Sequence, residues 1–337
     1  MFDRLATDTS FLVPIAGLGQ RSDQSIVKFV HLWAPLWNTA AISKIPIALN
    51  VRLLFHLCAL GINGDVKYNR INKFTFFIIT VFIYCTYITS PHAQNQGRSD
   101  RTDPSEIGDT TDPRPAKGIQ DNSFLIEEGY NQEAGIVQSI AGLRGQGRNR
   151  FFAFTQEFPL GSQTHQVSYS LPASLLRNGD RTTSGIGDLL LNYRYQVLFE
   201  NDVKPAFAPR FSLILPTGNQ RRGIGSESFG FQSNLPFSKT VDDRLTLHAN
   251  AGMTSLFDVE GRSPISFNLG GSAVYAATRD FNILFEVVGE KIETVNSGRR
   301  TERERVLTLS PGIRYAFNFP ETQIVIGVGA PASFIRK

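Results

Sequence analysis

Between residues 185 and 198 the chain reads GIGDLLLNYRYQVL, and apolar and polar side chains alternate almost without a break. Leu189, Leu191, Tyr193, Tyr195 and Val197 fall on one face; Asp188, Asn192, Arg194 and Gln196 fall on the other. Successive side chains of a strand leave opposite sides of a pleated backbone, so this period predicts a two-faced β-strand. The pattern recurs downstream. Phe207, Phe211, Leu213 and Leu215 alternate with Ala206, Arg210 and Ser212; Leu245, Leu247, Ala249, Ala251 and Met253 with Arg244, Thr246, His248 and Asn250. Ile265, Phe267, Leu269 and Tyr275 oppose Ser266, Asn268 and Ser272, while Leu307, Leu309, Ile313, Tyr315 and Phe317 oppose Thr308, Ser310, Arg314 and Ala316. In all, strand-like runs are expected near 134–144, 149–160, 163–172, 184–199, 203–216, 226–238, 243–256, 263–278, 280–292, 303–318 and 321–330. No amphipathic helix interrupts them, so the body is expected to be all-β.

An apolar face on every strand fits either the core of a water-soluble sandwich or the outside of a membrane barrel. Run length favours the barrel. Several runs exceed the five or six residues or so of an ordinary globular strand, and reach the roughly nine to eleven that a tilted span of a bilayer requires. Connections sort by length too. Short turns are expected at Leu160-Gly161-Ser162, Asn201-Asp202, Lys239-Thr240, Arg279-Asp280 and Pro320-Glu321, with longer polar loops at 173–183, 217–226, 257–262 and 293–302. Bacterial outer-membrane barrels have short periplasmic turns and longer external loops. Phe158, Phe199, Phe207, Phe237, Tyr275, Phe281, Phe317 and Phe319 cluster at the short-turn end and alternate onto the apolar face, as an interfacial girdle requires. The expected fold is an antiparallel up-and-down transmembrane β-barrel of nominally 12 strands, in the bacterial outer membrane.

Strand direction exposes a gap. With the short turns in the periplasm, the first and the last of the eleven runs both travel outward, so one inward strand is missing. The tail APASFIRK is short and basic. A closing strand lost by truncation or frameshift is one reading. Asn122–Tyr130 (NSFLIEEGY) alternates weakly and is a candidate to fill the gap.

Upstream of the barrel the patterning changes three times. Residues 1–65 show no strand alternation or chemical motif and read as a non-native or disordered extension. In 66–93, Lys67, Arg70 and Lys73 precede the apolar run FTFFIITVFIYCTYI, and Ser90-Pro91-His92-Ala93 ends in a small residue. That is the layout of a secretory signal cleaved near Ala93, with Val66 as the expected native start; an uncleaved anchor helix is the alternative. Residues 94–121 are polar, rich in Asp, Arg, Thr and Pro, and read as a disordered linker. The barrel is expected over 122–337.

Composition narrows the function. The net charge of +4 carries no basic block, so nucleic-acid binding has no footprint. Cys58 and Cys85 both precede residue 94, leaving the body without a disulfide, zinc knuckle or thiol nucleophile. No metal or cofactor is expected. Nor is an enzyme: His248 lies with Thr246 and Asn250, and His165 near Ser168 and Ser170, without a recognisable Ser–His pair and a third orienting group. Gly223-Ile224-Gly225 leads into a strand rather than a helix and is not a phosphate loop. The lumen face is expected to carry Arg194, Arg210, Arg244 and Arg314 with Asp188, Glu157, Glu286 and Glu290. Such a mixture either forms a charged constriction, as rings of charge do in pores, or fills a narrow barrel with a self-paired network. Arg194 and Arg210 stand out, because neighbouring arginines repel unless an acid or anion sits between them.

Four stretches carry a family resemblance: NSFLIEEGYNQEAGIVQSI (122–140), GIGDLLLNYRYQV (185–197), PRFSLILPTGN (209–219) and LSPGIRYAFNFP (309–320). They resemble the outer-membrane proteins labelled "MetA-pathway of phenol degradation". The resemblance implies a transporter for aromatic or other hydrophobic compounds, with no established ligand-binding residues to carry over. The implied partners are the lipid bilayer, a small solute, and the barrel-assembly and periplasmic chaperone machinery. A lipase-like barrel enzyme and a structural or adhesive barrel are the competing classes. Whether the lumen is plugged stays open.

Overall fold

The computed structural model describes residues 123–296, 298–319 and 322–336, together with Ile119 and the strand Val27–Pro35, whose backbone alone is placed. The expected signal at 66–93, the expected linker at 94–121 apart from Ile119, and the rest of 1–65 lie outside the described residues. Among those residues fifteen strands form one antiparallel sheet. They are β1 (Val27–Pro35), β2 (Ile136–Gln146), β3 (Asn149–Leu160), β4 (Ser162–Asn178), β5 (Arg181–Ile186), β6 (Leu189–Tyr195), β7 (Ala206–Phe207) and β8 (Arg210–Leu215). Then follow β9 (Gly230–Thr240), β10 (Leu245–Leu256), β11 (Ile265–Ala276), β12 (Phe281–Val295), β13 (Thr301–Phe319), β14 (Thr322–Gly329) and β15 (Ala332–Arg336).

Nearest neighbours in sequence pair in space, which is the up-and-down pattern. Each of the eleven expected runs corresponds to a course of the wall, and two differ in detail. The run at 184–199 breaks at Gly187-Asp188 into β5 and β6, and the run at 203–216 breaks at 208–209 into β7 and β8. The expected loop at 173–183 is mostly wall: β4 continues to Asn178 and pairs with β5 as a hairpin. Likewise β12 and β13 stay paired out to Val295↔Thr301, shortening the expected loop at 293–302. Backbone groups in a hairpin satisfy one another, so a polar surface pattern alone does not end a strand.

Among the described residues β15 continues the course of β14 along β13, from Leu309↔Ala332 to Arg305↔Arg336. The place between β14 and β2 is taken by β1, antiparallel to both. With β9 paired to β10 as well, the order β1-β2-β3-β4-β6-β8-β9-β10-β11-β12-β13-β14 returns to β1. The sequence VKFVHLWAP lacks a clean two-face alternation, and its role as a strand was not legible. Asn122–Tyr130, the expected gap-filler, lies elsewhere: its described residues run inside the ring.

Burial is inverted relative to a water-soluble domain. Along β12 the polar Glu286 is fully buried while its neighbour Phe285 is 48% exposed. On β13 Arg314 is 1% exposed, yet Ile313 and Tyr315 are each close to half exposed. Leu191, Tyr193, Tyr195, Phe211, Leu213 and Leu269 all lie on the open surface. Along β6 and β8 to β13 the exposed face is an apolar surface of the kind a membrane barrel presents to lipid. The sheet curls around its polar face and leaves the apolar face outside.

Candidate functional site: the barrel lumen

The polar face of the wall encloses a segment of the chain itself. Residues 123–133 run through the lumen, and most of them are buried although none belongs to a strand. A non-strand backbone inside a barrel must find partners for its N–H and C=O groups. Here wall side chains supply them. Glu286 Oε1 accepts from the N–H groups of Leu125 (2.6 Å) and Ile126 (3.2 Å). Ser238 Oγ accepts from Gly129 N–H at 2.7 Å, Gln196 Oε1 from Asn131 N–H at 2.7 Å, and Gln166 Oε1 from Gln132 N–H at 2.7 Å. In the other direction Gln196 Nε2 donates to the Gly129 carbonyl at 2.7 Å, and Arg194 donates to the Glu128 carbonyl. The Ser123 and Ser272 hydroxyls meet, and Gln132 Nε2 donates to Gln138 (2.5 Å) and Glu157 (3.2 Å).

The first part of this segment is held by shape as well as by the Glu286 and Ser272 hydrogen bonds. The Phe124 ring lies against Gly312, Gly327 and Gly329; a Cβ at these positions would stand 2.3, 2.6 and 2.8 Å from ring atoms. Glycine is required there because any side chain would occupy the space of the ring. The Arg314 guanidinium lies over the same ring, 5.9 Å from its centroid, a cation–π contact. Ile126, 1% exposed, packs on Gly270 in the same way.

The second part is held by charge. Arg194 and Arg210 are register partners on β6 and β8, and the acid that their juxtaposition calls for is Glu127. Arg210 grips it with both edges of a fork, Nε to Oε2 at 2.9 Å and Nη2 to Oε1 at 2.5 Å. The remaining Arg210 N–H groups donate to Asn192 Oδ1 at 3.1 Å, Gln232 Oε1 at 2.8 Å and the Ser212 hydroxyl. At the short-turn end Tyr130 donates to Glu200, which also accepts from Lys239 Nζ at 2.9 Å and Thr240 N–H at 2.6 Å. Burial alone would raise the Glu200 pKa, but the Tyr130, Lys239 and Thr240 hydrogen bonds outweigh it and hold the carboxylate below its ordinary range.

The eight charged residues expected on the lumen face divide. Arg194, Arg210, Arg314, Glu157, Glu286 and Glu290 are buried on the inner face, and the first five contact the crossing segment. Arg244 is a correction. It sits exposed in the turn before β10, beside the Tyr275 hydroxyl, because β10 starts at Leu245 rather than 243 and the alternation no longer applies to it. Asp188 is buried but serves the loop end instead. Its carboxylate accepts from Gly218 N–H (2.9 Å), Ser226 N–H (2.6 Å) and Ser226 Oγ (2.7 Å), fastening the loop 216–229 over the wall. Thr217 Oγ1 completes the knot, accepting from Leu189 N–H and donating to the Gly187 carbonyl, each at 2.9 Å. The G-I-G-D and L-P-T-G stretches are therefore two halves of one hydrogen-bonded joint.

Of the aromatic residues expected as a girdle, Phe199, Phe237, Tyr275 and Phe317 are exposed on the outer face and Phe158, Phe207 and Phe281 are half-buried. Phe207 and Phe237 stack with centroids 4.3 Å apart. The Phe319 side chain lies outside what is described. The sequence missed one contact altogether. Ser238 and His248 are register partners, with Oγ and Nδ1 2.7 Å apart; only strand pairing brings them together.

Residues 99–330 match the model of the family described as "Putative MetA-pathway of phenol degradation". The chain belongs to that family. The matched range takes in the lumen segment, the Arg194–Arg210–Glu127 cluster and the Asp188 joint, and excludes β1. No curated protein matches the chain.

Proposed function

We propose that this protein is an outer-membrane channel or transporter for small solutes, aromatic or otherwise hydrophobic in keeping with its family, exported by the signal at 66–93 and inserted by the barrel-assembly and periplasmic chaperone machinery. The observation that carries the reading is the inverted barrel with its own chain lying across the lumen. A polar lumen lined by charges of both signs is the feature with which pores select solutes. Held in place, the segment closes the path; displaced, it leaves a passage lined by Arg194, Arg210, Arg314 and Glu286. On this reading the protein is a conduit and not a catalyst, and it needs no cofactor.

The test is flux. Purified barrel in planar bilayers or liposomes should show a low basal conductance that rises when 123–133 is deleted, with uptake of a small aromatic solute following the same order. Equal flux in both, or none in either from barrels that migrate as folded on heat-modifiability gels, would remove the transport reading.

The Ser238–His248 pair supports a second, enzymatic reading. Against it, Ser238 is 1% exposed and its hydroxyl already accepts from Gly129 N–H. A fluorophosphonate probe should leave Ser238 unlabelled; labelling abolished by Ser238→Ala would restore the enzyme.

A further inference from the structure

We infer that the Arg210–Arg194 pair is a carboxylate-binding site, and that Glu127 occupies it as an internal substitute for a carboxylate-bearing solute. The inference rests on the transport reading for its role but on its own geometry for its chemistry. Three wall residues, Asn192, Ser212 and Gln232, take the inner N–H groups of Arg210 and fix the plane of its guanidinium. What remains is the Nε–Nη2 edge, which matches a carboxylate's two oxygens and is filled by Glu127. All three positioning residues belong to the wall; the carboxylate does not. Arg194 faces Arg210 across the β6–β8 pairing and is held by the Glu128 carbonyl, one residue along the same segment.

Removal of the segment would leave two adjacent guanidinium groups, one with its fork pre-oriented, facing the lumen. Two like charges so placed are unfavourable until an anion binds. A monocarboxylate can make the contacts Glu127 makes, including both bonds of the fork. Glu127 competes from a covalent tether, and so at a high effective concentration; an external carboxylate therefore binds weakly while Glu127 is in place. The site thus selects organic acids over neutral aromatics of the same size, and couples their entry to release of the segment.

The experiment uses the full chain folded in detergent micelles, with benzoate as the probe and benzyl alcohol as the neutral control. Benzoate should bind Glu127→Gln at least about tenfold more tightly than the wild type, since one charge-assisted pair is removed from competition. Adding Arg210→Met to Glu127→Gln should abolish the gain, and benzyl alcohol should not distinguish the three. In bilayers, Glu127→Gln should shift the reversal potential towards anions. Benzoate binding that is equal in wild type and Glu127→Gln, or that survives Arg210→Met, overturns the inference. Carboxylate binding without conductance in any variant would instead overturn the transport reading and leave the site standing. Heat-modifiability of each variant separates loss of the site from loss of the fold.

Discussion

The two ends of the lumen segment are fastened by different physics. Phe124 and Ile126 sit in hollows made by the absence of side chains at Gly270, Gly312, Gly327 and Gly329, with Glu286 accepting from the Leu125 and Ile126 N–H groups as a secondary hold. Glu127 to Gln132 are held instead by directional partners: a guanidinium fork, carboxamides and a carboxylate at the turn. Shape complementarity is insensitive to pH and salt but intolerant of added volume. Charged and hydrogen-bonded contacts tolerate small shifts in volume, yet a solute or a proton can compete for them. An anchor at one end and an exchangeable contact at the other is an arrangement that lets a segment leave without losing its address.

The largest effect is expected from filling a hollow. Gly327→Leu places atoms where the Phe124 ring lies, so the ring must leave and the segment with it. Conductance should rise to that of the 123–133 deletion while the barrel stays folded on heat-modifiability gels. A channel as closed as the wild type would show that the apolar end is not the anchor.

Phe124→Ala sharpens the same point from the other side. It removes a buried ring without crowding the wall, at a cost of about 3 kcal/mol to the docked state. The expected outcome is frequent transient opening rather than permanent opening, read as flicker in single-channel records. Arg314 should at the same time become accessible to an arginine-directed reagent.

The smallest effect is expected at Glu200. Its folded pKa is depressed, so its contribution is fully present above the unfolded carboxylate value of about 4.3 and is lost as pH falls through the folded value. Being partly exposed, it should contribute about 1 kcal/mol or less. Open probability should rise modestly in acid, and Glu200→Gln should show that raised level already at neutral pH. A pH response that is unchanged in Glu200→Gln would assign the effect to another carboxylate.

How far the sequence reached is clearest at Arg194 and Arg210. Alternation placed both on one face, strand order made them neighbours, and electrostatics required an acid between them. It did not identify Glu127, because the weak alternation of Asn122–Tyr130 suggested a wall strand and gave no sign of docking inside the lumen. The same limit hid the Ser238–His248 contact and the role of Val27–Pro35, which depend on register and closure between residues far apart in the chain. Arg244 failed for a smaller reason: one turn residue counted into a strand puts a side chain in the wrong environment.

The sequence by itself determined the eleven runs between 134 and 330, their two faces and their parity, because a period of two is a local property of the backbone. Parity alone showed that one inward strand was absent from the visible eleven. Only the tertiary structure decided that β1 stands in that place, that the polar face curls inward around residues 123–133, and that G-I-G-D fastens to L-P-T-G. Those outcomes depend on volume, on hydrogen-bond partners supplied from across the lumen, and on closing a ring. None of these is encoded at any single position in the chain.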